Sequence, residues 1–345
     1  MNTRQTFLRV VFASFALSIL FFLIGANGYG VIQISNIEDL QKIGNDPGYP
    51  LDGEYELTQD IDTSDTINWN SGAGFMPIGT WSKPFTGKFN GNGHKIRRLY
   101  INRSGQNNVG LFGYVGAGGE ITNLGIEEGW VIEGEYYVGI LVGYNNGGIV
   151  RNCYSTGSVS GGNYVGGLVG YNYDGGTVSQ SYSTGSVEGI GSYVGGLVGR
   201  NAGTVSQSYS TGSVSGGSWN VGGLVGWNYN GTVSDSYWDV ETSGRSSSDG
   251  GTGKTTAQMK QQATYVGWDF VNVWAIREGV SYPYLCVLGP SQEPLTPEEK
   301  EIWSLSDLNK IGRDWEYPWN GVYKLMTDID ASETINWDGG KGFNP

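Results

Sequence analysis

Val165-Gly166-Gly167-Leu168-Val169-Gly170 stands three times in this chain, again from Val194 and from Val221, and two variants precede it, VGILVG from Val138 and VGLFG from Val109. The starts are 29, 27, 29 and 27 residues apart. A second segment follows each block: IVRNCYSTGSVSG from Ile149, TVSQSYSTGSVEG from Thr177, TVSQSYSTGSVSG from Thr204 and TVSDSYWDV from Thr232. Each repeat therefore holds two short β-type runs separated by glycine turns. A unit of this size cannot bury a face alone and must stack on its neighbours. Five such coils, at roughly 4.8 Å each, predict a stack about 24 Å long. The fold expected is all-β, a β-solenoid (β-helix-like) of about 27-residue Gly-rich coils with short helical and aromatic caps.

The second run alternates with strand parity. In the first coil Leu124 aligns with Cys153, Gly125 with Tyr154 and Ile126 with Ser155, so the apolar parity places Cys153, Ser181, Ser208 and Ser236 in a narrow interior column. Tyr154, Tyr182, Tyr209 and Tyr237 then form a stacked exterior ladder; the reverse, with tyrosines inside, stays open from sequence. Asn145, Asn172, Asn201 and Asn228 make a further column at the turn after each block, where stacked amides bond along the ladder.

The ends differ from the middle. Ser35 to Ile43 reads as an amphipathic helix with Ser35 and Glu38 as a capping box and Gly44 as terminator. Thr255 to Gln258 opens another helix, and Trp268, Phe270, Trp274 and Tyr282 are expected to cover the last coil, whose bare edges would invite pairing. A longer repeat begins at Asp39-Leu40 and Asp307-Leu308, at an offset of 268, and runs to Phe75 and Phe343. The expected organisation is a leader over 1–28, an N-terminal cap and first coil over 29–108, repeat coils over 109–245, a C-terminal cap over 246–288, a Pro-containing linker over 289–300 and the start of a second unit over 301–345. That restart implies a piece of a longer tandem array.

Composition agrees with many short strands and tight turns: 59 glycines, 22 tyrosines and 12 tryptophans in 345 residues, with 15% charged. A formal charge of −13 argues against nucleic acid, whose phosphates require clustered Lys and Arg. Arg4 and Arg9 precede an apolar run from Val10 to Ile24, with small residues at Ala26 and Gly28. This reads as a secretory signal cleaved after Gly28, which predicts a secreted or cell-surface protein touching membrane only through that segment. Of the two cysteines, Cys153 is expected to be a buried structural thiol.

The blocks resemble the GLUG-repeat proteins, named for a Gly-Leu-apolar-Gly core that stands here as Gly167 to Gly170, Gly196 to Gly199 and Gly223 to Gly226; Ile140 to Gly143 departs only at its first residue. The resemblance extends to Pro84 through His94, to Tyr237-Trp238-Asp239 and to Gly267 through Phe270. It implies display at a bacterial surface, as in adhesin-like chains and as accessory modules of some zinc peptidases that cleave immunoglobulin A. It brings no catalytic residues to this chain.

Catalytic, cofactor and metal sites are not expected from the residues themselves. The single histidine, His94, cannot supply HExxH zinc ligation, and structure in a turn explains it better than a triad. Gly253-Lys254-Thr255 lacks the leading glycine of a phosphate loop, Ser248 standing there. Asp60, Asp62 and Asp65 suit a solvated turn better than a Ca²⁺ site. Glycoside hydrolysis needs two carboxylates at a fixed distance, and the coil acids Asp174, Glu188 and Asp235 share no column, although Asp60 or Glu120 paired with a distant acid stays open. The candidate binding surface is the ladder Tyr154, Tyr182, Tyr209 and Tyr237, joined by Tyr144, Tyr171 and Trp227, with extracellular glycan or protein as partner; mutual stacking that merely joins the coils is the plainer role. The function expected is a non-catalytic spacer or adhesion module. A β-helical carbohydrate-active enzyme, or an accessory region of a larger extracellular peptidase, is the alternative.

Overall fold

The computed structural model describes residues 30–217 and 219–289 and, beyond them, 300–302, 304–310, 323–325, 329–330 and 332. The leader predicted over 1–28, most of the linker and much of the second copy of the long repeat lie outside these. Two compact units divide at Ser291 and Gln292.

The first unit is a parallel β-solenoid of three sheets. Sheet C contains one strand from each of five turns, Phe112–Val115, Val142–Asn146, Val169–Tyr173, Val198–Asn201 and Val225–Asn228. Register follows the sequence repeat without slippage, Val142 facing Val169, then Val198, then Val225. Sheet B begins each turn, with Val138 opposite Val165 and Val194 opposite Val221. Sheet A carries the second run, with Tyr154 opposite Tyr182, then Tyr209, then Tyr237.

Why these residues form these elements is visible in the interior. Val, Leu and Ile from all three sheets meet in one continuous core, because each short run turns alternate side chains inward. Aromatic rings fill the early turns, with Phe85 and Phe89 at 4.9 and 5.4 Å from Phe112. Later turns taper to valine and leucine. Cys153, Ser181 and Ser208 are fully buried inside, as parity required. Between Ser179 and Ser181 the strand turns a corner through Gln180, whose φ is +48°, and Asn152, Gln207 and Asp235 repeat that left-handed conformation, which Asn and Asp tolerate best.

The asparagine column is a hydrogen-bonded ladder. Asn145 Nδ2 donates to Asn172 Oδ1, Asn172 to Asn201 and Asn201 to Asn228, each at 2.8 Å, while the same amides close their own turns on Gly148, Gly176 and Gly203. Buried polar groups must be paired in this way, and the ladder ties turn to turn.

Both ends of the stack are covered. Ile32–Ile34 pairs with Glu54–Leu57 below helix Ile37–Lys42. The cap of that helix is Asn36, whose side chain accepts from the Asp39 amide at 2.8 Å, and not the Ser35–Glu38 box. Ser35 sits one residue too early, its carbonyl held by Gln59. At the other end Thr252–Lys254 pairs with Tyr237–Asp239, Ser247 to Asp249 bond the edge of sheet C, and Arg245 Nε donates to Val214 O at 2.7 Å on sheet B. Open edges are thereby blocked. Thr255 caps helix Thr256–Met259 in a capping box with Gln258.

The C-terminal aromatics do not stop at the last coil, where Trp268 Nε1 donates to Asp235 O at 2.8 Å and Tyr265 meets Tyr237. Trp268, Trp274, Tyr265, Met259 and Leu285 pack along the outer flank of sheet A, against Tyr154, Tyr182, Tyr209 and Tyr237. Among its described residues the second unit, taken alone, pairs Lys300–Ile302 with Tyr323–Leu325 in parallel, Ile302 opposite Leu325, with helix Leu305–Lys310. This is the strand–helix–strand succession of 32–57, at the offset of 268.

Candidate functional site: an aromatic face with one arginine

The tyrosine ladder faces away from the solenoid interior, but it is not a surface. Tyr154, Tyr182 and Tyr209 are at most 1% exposed and Tyr237 is buried. The rings stack nearly parallel, Tyr154 to Tyr182 at 4.8 Å and 5° and Tyr182 to Tyr209 at 4.9 Å and 8°. Their hydroxyls are used internally: Tyr209 Oη donates to Pro283 O at 2.6 Å, and Tyr154 Oη to Glu127 at 2.6 Å. Burial pushes both phenols well above their ordinary range. The expectation that Tyr154, Tyr182, Tyr209 and Tyr237 present an accessible ladder is therefore corrected, because folding back the C-terminal segment over sheet A excludes solvent from them.

Tyr144, Tyr171 and Trp227 occupy a different place. Sheet C sets Tyr114, Tyr144, Tyr171, Arg200 and Trp227 in one cross-strand column. Beside it, at the corner preceding each VG step, stand Tyr137, Tyr164 and Tyr193, all with φ between +56° and +66°. The two columns mesh. Tyr114 stacks on Tyr144 at 4.8 Å, Tyr137 meets Tyr144 edge-on at 5.0 Å, Tyr164 stacks on Tyr193 at 4.8 Å, and Tyr193 on Trp227 at 4.8 Å. Tyr173 and Tyr229, 40% and 48% exposed, flank the sheet C column, 5.2 Å from Tyr171 and from Trp227 respectively.

Arg200 replaces the tyrosine expected in its turn. Its guanidinium carbon lies 4.3 Å from the Trp227 ring centre, 4.7 Å from Tyr171 and 5.2 Å from Tyr229, within cation–π range. Among the described residues no carboxylate pairs with it, and Nε has no hydrogen-bond partner. Burial pushes the Tyr171 phenol up to about 12, with Arg200 opposing. The result is a preorganised surface with a single positive centre on which Tyr144, Arg200 and Trp227 are partly exposed, whereas Tyr171, expected on the accessible surface, is buried because Tyr137, Tyr144, Tyr173 and Arg200 pack over its ring. Sequence reasoning found three of its members and missed Tyr137, Tyr164, Tyr193 and Arg200, although each of those tyrosines directly precedes a Val-Gly of the repeat.

Of the acidic residues singled out by sequence, Asp60, Asp62 and Glu120 sit in ion pairs. Asp60 lies 3.4 Å from His94 Nδ1 and 3.3 Å from Arg97, Arg97 reaches Glu127 at 3.1 Å, and Glu120 meets Arg151 at 3.3 Å. Asp62 is held by Arg98 and by the Ser64 amide, which lowers its carboxyl below the usual range, the amide bond being the larger cause. Among the described residues no three His, Cys, Asp or Glu side chains are grouped to hold a metal, and no helix is long and apolar enough to cross a membrane. Lys254 closes the strand that covers sheet A, and Thr255 the helix cap after it.

Five parallel turns, one register and capped ends define the molecule as a β-solenoid repeat protein. Residues 134–160, 161–188, 190–215 and 217–240 each match the GLUG motif, so this stretch of the chain carries tandem GLUG repeats. It is 41% identical over 138 residues to halomucin of Haloquadratum walsbyi, a match covering 39% of this chain and 2% of that one. It is 37% identical over 119 residues, 34% of this chain and 14% of the other, to a protein of Evansella cellulosilytica provisionally named a Gly-rich membrane protein. The chain thus spans a small part of the length of these relatives. A crystal structure from Bacteroides ovatus, provisionally named an immunoglobulin A1 protease, superposes with a TM-score of 0.56 over 75% of this chain and 93% of that one, at 20% identity, and shares the fold.

Proposed function

We propose that the chain is a non-catalytic repeat module of an exported, surface-displayed protein, a rigid spacer that contacts an extracellular glycan or protein through the aromatic face. The observation that carries this reading is the meshed double column around Arg200. Tyr and Trp offer large contact area at little entropic cost because few rotors must be frozen, and here mutual stacking has already frozen them. Rigidity follows from the amide ladder and the blocked edges. The names of the halomucin and membrane-protein relatives support placement at a cell surface.

Binding of the chain to arrayed glycans and to immobilised extracellular-matrix proteins tests the reading, compared with a variant carrying Arg200→Gln, Trp227→Ala and Tyr229→Ala. Saturable binding that the variant loses while keeping its β circular dichroism supports it. Absence of binding, or binding that the triple variant retains, refutes the contact role and leaves the spacer.

A further inference from the structure

The repeat is broken at one place on sheet B, and a cavity lies there. Thr156-Gly157-Ser158 aligns turn by turn with Thr184-Gly185-Ser186 and Thr211-Gly212-Ser213. Ser186 Oγ donates to Ser158 Oγ at 2.8 Å, so this column is a ladder of small hydroxyls. The glycine between them is sterically required, because a Cβ at Gly157 would stand against the carbonyl of Gly129 and one at Gly185 against that of Gly157. One turn earlier the triplet becomes Glu128-Gly129-Trp130, and a turn before that Arg98-Leu99-Tyr100, with Trp130 opposite both Tyr100 and Ser158. Thr has become Glu and then Arg; Ser has become Trp and then Tyr.

These substituted residues line a cavity of about 500 Å³ with Ser64 and Ile67 from the 3₁₀ segment Ser64–Gly72 as its other wall. That volume lies in the range of small-ligand pockets, roughly 300–1,000 Å³. Trp130 is 58% exposed and Ile67 49%, an apolar pair left in solvent that neither core cluster requires. The Glu128 carboxylate makes no ion pair among the described residues, whereas Arg98 is neutralised by Asp62, its Nε donating to Oδ1 at 3.1 Å. Where a repeat departs from its own rule, function is the usual reason.

We infer that this cavity is a binding site for a pyranose oligosaccharide that carries no anionic group. A pyranose has an apolar C–H face that stacks on an exposed indole, here Trp130 with Tyr100 beside it, and an equatorial rim of hydroxyls. Glu128 accepts from two such hydroxyls and Ser158 Oγ exchanges hydrogen bonds with a third, as charged acceptors make the strongest of these bonds. The charge of the lining selects among sugars. With Arg98 cancelled by Asp62, the uncompensated Glu128 repels uronates and sulfated sugars. The site lies on sheet B and shares no residue with the aromatic face of sheet C, so either assignment can fail without the other.

The test is isothermal titration of the full chain with cellotetraose, maltotetraose, mannotetraose and N-acetylchitotetraose, with tetragalacturonate as the anionic control. At least one neutral tetrasaccharide is expected to bind, with Trp130→Ala and Glu128→Gln each weakening it by about tenfold or more and Trp130→Phe by less. Glu128→Gln is isosteric at an exposed position, so its folded state is secure even if Trp130→Ala perturbs the turn. Failure of all four neutral probes to bind overturns the assignment, as does tighter binding of tetragalacturonate, or neutral binding that Trp130→Ala and Glu128→Gln both leave intact.

Discussion

Removing the Tyr209 ring while keeping a hydroxyl, as Tyr209→Ser, tests whether the tyrosine ladder is interior. Tyr209 is 1% exposed and sits between Tyr182 at 4.9 Å and a wall made by Trp268, Trp274 and Tyr282, with ring centres 6.1 to 6.3 Å away. Truncating a buried aromatic costs about 3–5 kcal/mol through lost transfer energy and the cavity left behind. The hydroxyl is separable: Tyr209→Phe removes only the donor to Pro283 O, which strands a buried carbonyl at about 1–3 kcal/mol. Ordered costs of roughly 4 and 2 kcal/mol are therefore expected for Ser and Phe. Urea unfolding followed by circular dichroism and by tryptophan fluorescence reads both, and because Trp268 and Trp274 lie in the covering segment, fluorescence should report its release before the coils melt in Tyr209→Ser. Solenoids need not unfold in one step, so each probe is fitted separately. A Tyr209→Ser chain within about 0.5 kcal/mol of the parent by both probes, the effect of an ordinary surface change, would refute the burial of the ladder.

Asn172 donates to Gly176 O, Asn201 Oδ1 and Thr204 O and accepts from Asn145; Asn172→Ala should cost about 2–3 kcal/mol in urea unfolding by stranding these groups, and Asn172→Asp more, since a buried carboxylate would face the Asn201 Oδ1 acceptor. Gly185→Ala should cost about 1–3 kcal/mol from overpacking against the Gly157 carbonyl, measured by thermal melting. Burial pushes the Cys153 thiol up to about 12 while Cys286 is exposed, so a thiol reagent at about pH 8 should label Cys286 alone in the native chain and both after denaturation. Because the Tyr154 and Tyr209 phenols are raised in the folded state, their contribution to stability is full below the unfolded value near 10 and is lost as pH rises past it. Absorbance near 295 nm should then show these two ionising only with unfolding, and early ionisation without unfolding would contradict their burial.

Legibility varied with the range of the interaction. The coil, its period and the identity of its interior column were readable because identical residues stack on identical residues: Leu124 and Ile126 oriented Cys153, Ser181 and Ser208 without any long-range information. The asparagine ladder was readable for the same reason. The cap of the first helix was misplaced by one residue, since Ser35 and Asn36 both suit a cap and only the path of the preceding strand chooses between them. Arg200 escaped notice because a column is recognised by what recurs, and its role is to interrupt; Trp130 and Glu128 escaped in the same way.

What the sequence determined by itself is the nearest-neighbour part of the structure: a solenoid of stacked coils and which side chains share a column. What only the tertiary structure decided is which outward column meets solvent. Tyr154, Tyr182, Tyr209 and Tyr237 look the same in sequence as Tyr137, Tyr164 and Tyr193, but the segment around Trp268 and Trp274 folds back over the first column and leaves the second half exposed. Strand periodicity records the side of a sheet on which a residue lies and not what a distant stretch of chain later lays over it, so the accessible face could be assigned only after the aromatic segment had found its partner.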